Sequence, residues 1–93
     1  MKEFNVIQKI EKKIAENENF LKYTYYELRV KENLRESEMY GFIGETIKEL
    51  LKLKYEVYRT NQTYCIDNQE YIVKENELLV AIKKNRGLLK NRR

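Results

Sequence analysis

The chain has 93 residues, 42% of them apolar, with 19 Lys and Arg against 15 Asp and Glu, no His, no Pro and one Cys. One small domain follows, and the single Cys65 excludes an internal disulfide and suits a reducing, cytoplasmic setting. Without His, and with one Ser and one Asp, neither a His-based general base nor a Cys/His zinc site can be assembled, so binding is expected rather than catalysis, with no metal or cofactor.

Residues 3–16 are predicted to form a helix, because Phe4, Ile7, Ile10 and Ile14 recur every three or four positions between charges. The run ENEN at 16–19 ends it. Residues 20–32 alternate as a strand through Phe20, Thr24, Tyr26, Leu28 and Val30, although a helix through Leu21, Tyr25 and Leu28 also fits. Ser37 is placed to cap a second helix carried by Met39, Ile43, Ile47, Leu50 and Leu51. YEVYRT at 55–60, TYCI at 63–66 and EYIV at 70–73 alternate with turn-forming NQ and DNQ, which predicts two or three short antiparallel strands. Residues 75–86, acidic first and basic last, read as a closing helix that Gly87 stops. The longest apolar run, LLVAI at 78–82, is too short to span a bilayer, and the charged first residues lack a signal-peptide core. No membrane association is expected.

Charge is unevenly placed. From Met1 to Leu79 there are 13 cationic side chains against 15 acids; from Val80 to Arg93 there are 6 against none. The expected organisation is one α+β domain over 1–86 and a basic tail over 87–93. Such an end attracts phosphate polyanions without reading sequence, and also suits a helix terminus or simple solubility.

The order strand, helix, Gly-x-x-Gly, helix, strand, strand, helix over Tyr23 to Arg86, with GFIGETIKEL at 41–50, resembles the KH family of single-stranded nucleic-acid binders. The resemblance implies a small three-stranded antiparallel sheet packed against helices, KH-like, with an extra N-terminal helix. It implies that Gly41, Phe42, Ile43 and Gly44 form a turn whose backbone meets phosphates, with Lys48 adding charge and a base groove along Ile47, Leu51, Tyr55 and Val57. Lys83, Lys84, Arg86, Lys90, Arg92 and Arg93 would add non-specific affinity. Phe42 and Ile43 depart from the basic or small polar residues usual between the glycines. The alternative is an unbroken helix in which both are buried and the glycines allow close packing.

Three functions are compatible with these features. The first is binding of RNA or single-stranded DNA. The second is a protein-binding inhibitor or adaptor of the kind that phages and other mobile elements encode, including blockers of nucleic-acid-guided defence enzymes, covering the nucleic-acid site of its partner. The third is a winged-helix duplex binder with residues 55–73 as wing and 37–54 as recognition helix, in which three lysines face three glutamates. The clustered Tyr23, Tyr25, Tyr26, Tyr55, Tyr58, Tyr64 and Tyr71 fit sheet packing, or base and protein contacts if exposed.

Overall fold

The computed structural model describes residues 4–83. Helix α1 spans Val6–Glu16 and is followed by strand β1, Phe20–Thr24. A helical segment at 25–31 follows, and its Glu27–Lys31 portion is a π-helix. Then come α2 at Glu36–Lys52, β2 at Tyr55–Arg59, β3 at Thr63–Ile66, β4 at Gln69–Ile72 and β5 at Glu77–Lys83. The chain is α+β, with an antiparallel three-stranded sheet in the order β1-β5-β2 and a separate β3–β4 hairpin.

Strand β1 stops where Thr24 becomes a cap: its Oγ1 accepts the Glu27 N–H at 3.1 Å, three residues on, and the chain turns helical. The expected strand at 20–32 is therefore correct only as far as Thr24. A widened turn follows, with the Glu32 N–H donating to the Glu27 carbonyl at 2.9 Å. Helix α2 is opened by Glu38, whose Oε1 accepts the Arg35 N–H at 2.8 Å, so Ser37 lies inside the first turn and not at the cap. The helix ends as Lys54 enters the left-handed region at φ 70°.

The closing helix expected over 75–86 is a strand from Glu77 to Lys83, and it is the central one. The reason is burial on both faces. Leu79 and Ala81 enter the main core under the helices, whereas Val80 points the other way and is equally buried. A five-residue apolar run does not distinguish a twice-covered strand from a helix turn.

Val80 is covered by the hairpin. The Tyr64 ring of β3 lies 5.7 Å from Tyr58 on β2 and 6.2 Å from Phe20 on β1, so it reaches across β5 on the face opposite the helices. Tyr71, paired with Tyr64 across the hairpin, stacks on it at 5.5 Å. The hairpin turns through Asp67 and Asn68, both with positive φ, as a two-residue hairpin loop requires. At its root the Asn61 N–H donates to the Val73 carbonyl at 2.8 Å, and the Val73 N–H to the Gln62 carbonyl at 2.9 Å.

On the other face, α1, the 25–31 segment and α2 enclose Val6, Ile10, Leu21, Tyr23, Leu28, Met39, Phe42, Ile43 and Leu50. Each fully buried large aliphatic or aromatic side chain contributes about 1.5–3 kcal/mol over leaving it in water.

Candidate interaction site

The glycine pair does not form a turn. Residues 41–44 lie in the interior of α2, neither glycine has a positive φ, and Phe42 and Ile43 are 1% and 5% exposed. Their amides are committed to the helix ladder, so in place of the expected phosphate cradle of Gly41, Phe42, Ile43 and Gly44 there is a helix turn with Phe42 and Ile43 buried and both glycines on the surface. Phe42 meets Phe4 and Tyr23 edge-on at 5.8 and 6.0 Å. Two large apolar side chains gain more from this core than from a loop tip in water.

The two glycines have different surroundings. A Cβ on Gly41 would come 3.3 Å from the Phe4 ring, so Gly41 admits α1's leading aromatic against α2. A Cβ on Gly44 would meet nothing within 4 Å. Glycine in a helix interior costs about 1 kcal/mol against alanine, and at Gly44 no packing among the described residues offsets it.

Gly44 instead opens onto a groove of about 300 Å³ between α2 and the sheet. Its apolar part is Met39 and Ile43 from α2 and Leu78 from β5. Tyr40, 82% exposed, stands at its edge. At one side lies Arg59, fixed twice: its backbone N–H donates to Gln62 Oε1 at 2.7 Å and its Nε to the Leu78 carbonyl at 3.0 Å. Also in the lining, the Tyr25 hydroxyl donates to Glu36, and that bond, ahead of desolvation, raises the Tyr25 pKa. The Arg29 guanidinium, held by the Leu34 carbonyl at 2.7 Å, lies close enough to Tyr25 to oppose that rise.

A second, polar cleft of about 510 Å³ lies between α1 and the 25–31 segment. Two ion pairs bridge it, Lys9–Glu32 at 3.0 Å and Lys13–Glu27 at 2.9 Å, and Lys13 Nζ sits 4.6 Å above the Tyr23 ring. These pairs clamp the π-helical turn to α1. Their lysines are occupied by the protein's own carboxylates.

The other expected binding residues are dispersed. Lys48 is on the exposed face of α2, away from the groove lining. Lys83 is paired with Glu18 at 2.6 Å, which raises its pKa. Lys84, Arg86, Lys90, Arg92 and Arg93, with the 87–93 tail, lie outside the described residues. Of the expected base groove, Tyr55 is buried, with its hydroxyl on the Glu18 carbonyl at 2.6 Å; Ile47 and Val57 pack on the core; Leu51 is exposed. Spacing does not single out Arg59, Tyr40 and Leu78, because it places Leu78 in a helix and the groove depends on β5 lying beside β2.

Among the described residues no group of three or more Cys, Asp or Glu gathers to hold a metal, and no helix is long and apolar enough to cross a membrane. Compared with family models, with curated proteins and with solved structures, the chain gives no match.

Proposed function

We propose that this chain is a protein-binding module of the adaptor or inhibitor kind, and that it engages its partner through the groove between α2 and the sheet. The observation that carries this reading is Gly44. The fold has no use for a missing side chain there, and a partner that must bring its backbone close to α2 does. Tyr40 and Arg59 on the rim are residue types that dominate interface energetics.

Charge in the body that holds the groove favours a protein over a polynucleotide, whereas the net +4 of the whole chain comes from its last residues. Residues 4–83 carry 13 Lys and Arg against 14 Asp and Glu, so the described body lacks the positive surplus that phosphate binding uses.

A second reading, nucleic-acid binding, draws on the element order. Helix, strand, helical turn, helix, strand, hairpin, strand with sheet order β1-β5-β2 supports the winged-helix reading above, in which 37–54, the region of α2, would be the recognition helix and 55–73 the wing. Two observations weigh against it. The exposed side of α2 offers Lys48 and Lys52 beside Glu45 and Glu49, and the hairpin lies over the sheet face opposite α2.

The test places a photo-crosslinking amino acid at Tyr40 in the full chain and compares it with Gly44→Leu, which keeps helix propensity and fills the groove. A discrete protein adduct that Gly44→Leu abolishes, and that Ile72→Ser on the hairpin leaves intact, is the expected result. An adduct indifferent to Gly44→Leu, or oligonucleotide binding that Gly44→Leu abolishes, overturns the reading.

A further inference from the structure

We propose that the segment entering this groove presents a carboxylate to Arg59, next to an apolar side chain that lies on Met39, Ile43 and Leu78. This rests on the protein-binding reading above and names the chemistry of the partner.

Arg59 is the cation lining the groove, and the fold leaves part of its hydrogen-bonding capacity unused. No carboxylate among the described residues pairs with it, although five other cation–carboxylate pairs form there. Its Nε is spent on the Leu78 carbonyl and its backbone N–H on Gln62, so the two Nη groups remain as a fork of fixed aim. A guanidinium held in this way has already lost much of the rotamer freedom that binding would otherwise remove. Its preferred acceptor is a planar pair of oxygens, taken bidentately.

Carboxylate and phosphate both satisfy that geometry, and the rest of the groove separates them. Among the described residues Arg59 is the only cation lining it, and the lining also includes the carboxylate of Glu36. A phosphodiester chain would bring further negative charge past Glu36, with no second cation among the described residues that line the groove. A single carboxylate requires only Arg59. Glu36 accepts the Tyr25 hydroxyl, and among the described residues it forms no ion pair with Arg59. The floor of Met39, Ile43 and Leu78 then calls for an apolar side chain beside the acid. Open space over Gly44 lets the backbone between the two side chains approach the helix.

The experiment is a selection of random twelve-residue displayed peptides on the full 93-residue chain, followed by titration of the selected peptides. The expected peptides carry Asp or Glu within two positions of a Leu, Ile, Met or Phe. Replacing that acid by its amide in the peptide weakens binding to the unaltered protein about tenfold or more. Arg59→Met does the same, and Arg59→Lys, which keeps charge and loses the fork, restores only part. Peptides that Gly44→Leu displaces but that bind equally as amides would overturn the carboxylate assignment and leave the groove as the binding site. No peptide sensitive to Gly44→Leu would overturn both. Because the amide substitution is made in the peptide, a folding defect in an Arg59 variant cannot obscure the result.

Discussion

Phe4 and Gly41 make a close approach between the residues leading into α1 and helix α2: the Phe4 ring lies 3.3 Å from where a Cβ on residue 41 would sit. Gly41 and Gly44 are therefore one motif in sequence and two different things in space. Gly44→Ala should stabilise the protein by about 1 kcal/mol, the helix-interior difference between the two residues. In a domain of this size that raises the melting temperature by roughly 4–8 °C. Gly41→Ala has the same propensity gain, offset by displacement of Phe4, so its net change should be smaller than that of Gly44→Ala and should vanish as a difference in a Phe4→Leu background. Urea denaturation of the single and paired variants measures this; equal gains at both positions would contradict the Phe4 contact.

Tyr64 is expected to be the anchor of the hairpin. Its ring spans Phe20 and Tyr58 over Val80 and stacks on Tyr71. Tyr64→Ala should cost on the order of 2 kcal/mol, below the range for a fully buried aromatic because this ring is only half covered. Hydrogen exchange should then quicken at the amides of Tyr71 and Ile72, while those of Leu50 and Leu21 in the helix-side core keep their relative protection. Loss spread evenly over both regions would mean that the hairpin is not a separable layer.

Glu77 makes a prediction at acid pH. Its Oε1 accepts the Lys74 N–H at 2.9 Å and its Oε2 lies 3.4 Å from Lys22 Nζ. The backbone hydrogen bond first, and then Lys22, hold its carboxyl below the ordinary value of 4.5. A lowered carboxyl stabilises the folded state above the unfolded value, and that contribution is lost as pH falls through the folded one. The stability gap between the wild type and Glu77→Gln should therefore be constant above about pH 6 and close as pH falls below about 4.5. Denaturant midpoints of both proteins from pH 7 to pH 3 test it; a gap that widens on acidification would reverse the assignment.

Much of the fold was legible because several elements obey one period. Helix α1, the stripe through Met39, Ile43, Ile47 and Leu50, and the alternation of Tyr55–Arg59 and Thr63–Ile66 follow from spacing alone. Two elements were misread for one cause: local pattern is silent on what covers a segment. LLVAI reads as helix or strand until the hairpin is known to shield Val80, and YELRV reads as strand until Thr24 caps it. The site was less legible still. Arg59 and Gly44 are fifteen positions apart and line one groove because β2 packs against α2, while Leu78 joins them because β5 lies next to β2. Nothing in the spacing of GFIG shows that Gly41 would be used by Phe4 and Gly44 by nothing in the fold.

Tyr23 carries a prediction at the other end of the pH scale. Its hydroxyl is buried with no hydrogen-bond partner, and burial, followed by the charges of Glu27 and Glu32, pushes its pKa well above the ordinary 10.0. The unfolded chain releases this proton near pH 10 while the folded chain keeps it. Stability from this group is thus fully present below pH 10 and declines as pH rises beyond it. Tyr25, Tyr55, Tyr58 and Tyr64 are raised as well and decline in the same sense, so the contribution of Tyr23 is read from a difference. Tyr23→Phe keeps the ring against Phe42 and removes the unpartnered oxygen, so at pH 7 it should be neutral or stabilising by about 1 kcal/mol. Between pH 9 and pH 11 its advantage over the wild type should grow. A Tyr23→Phe protein that is less stable at pH 7 would show that the hydroxyl is bonded in the folded state, and an advantage that shrinks with alkali would show that burial does not raise its pKa.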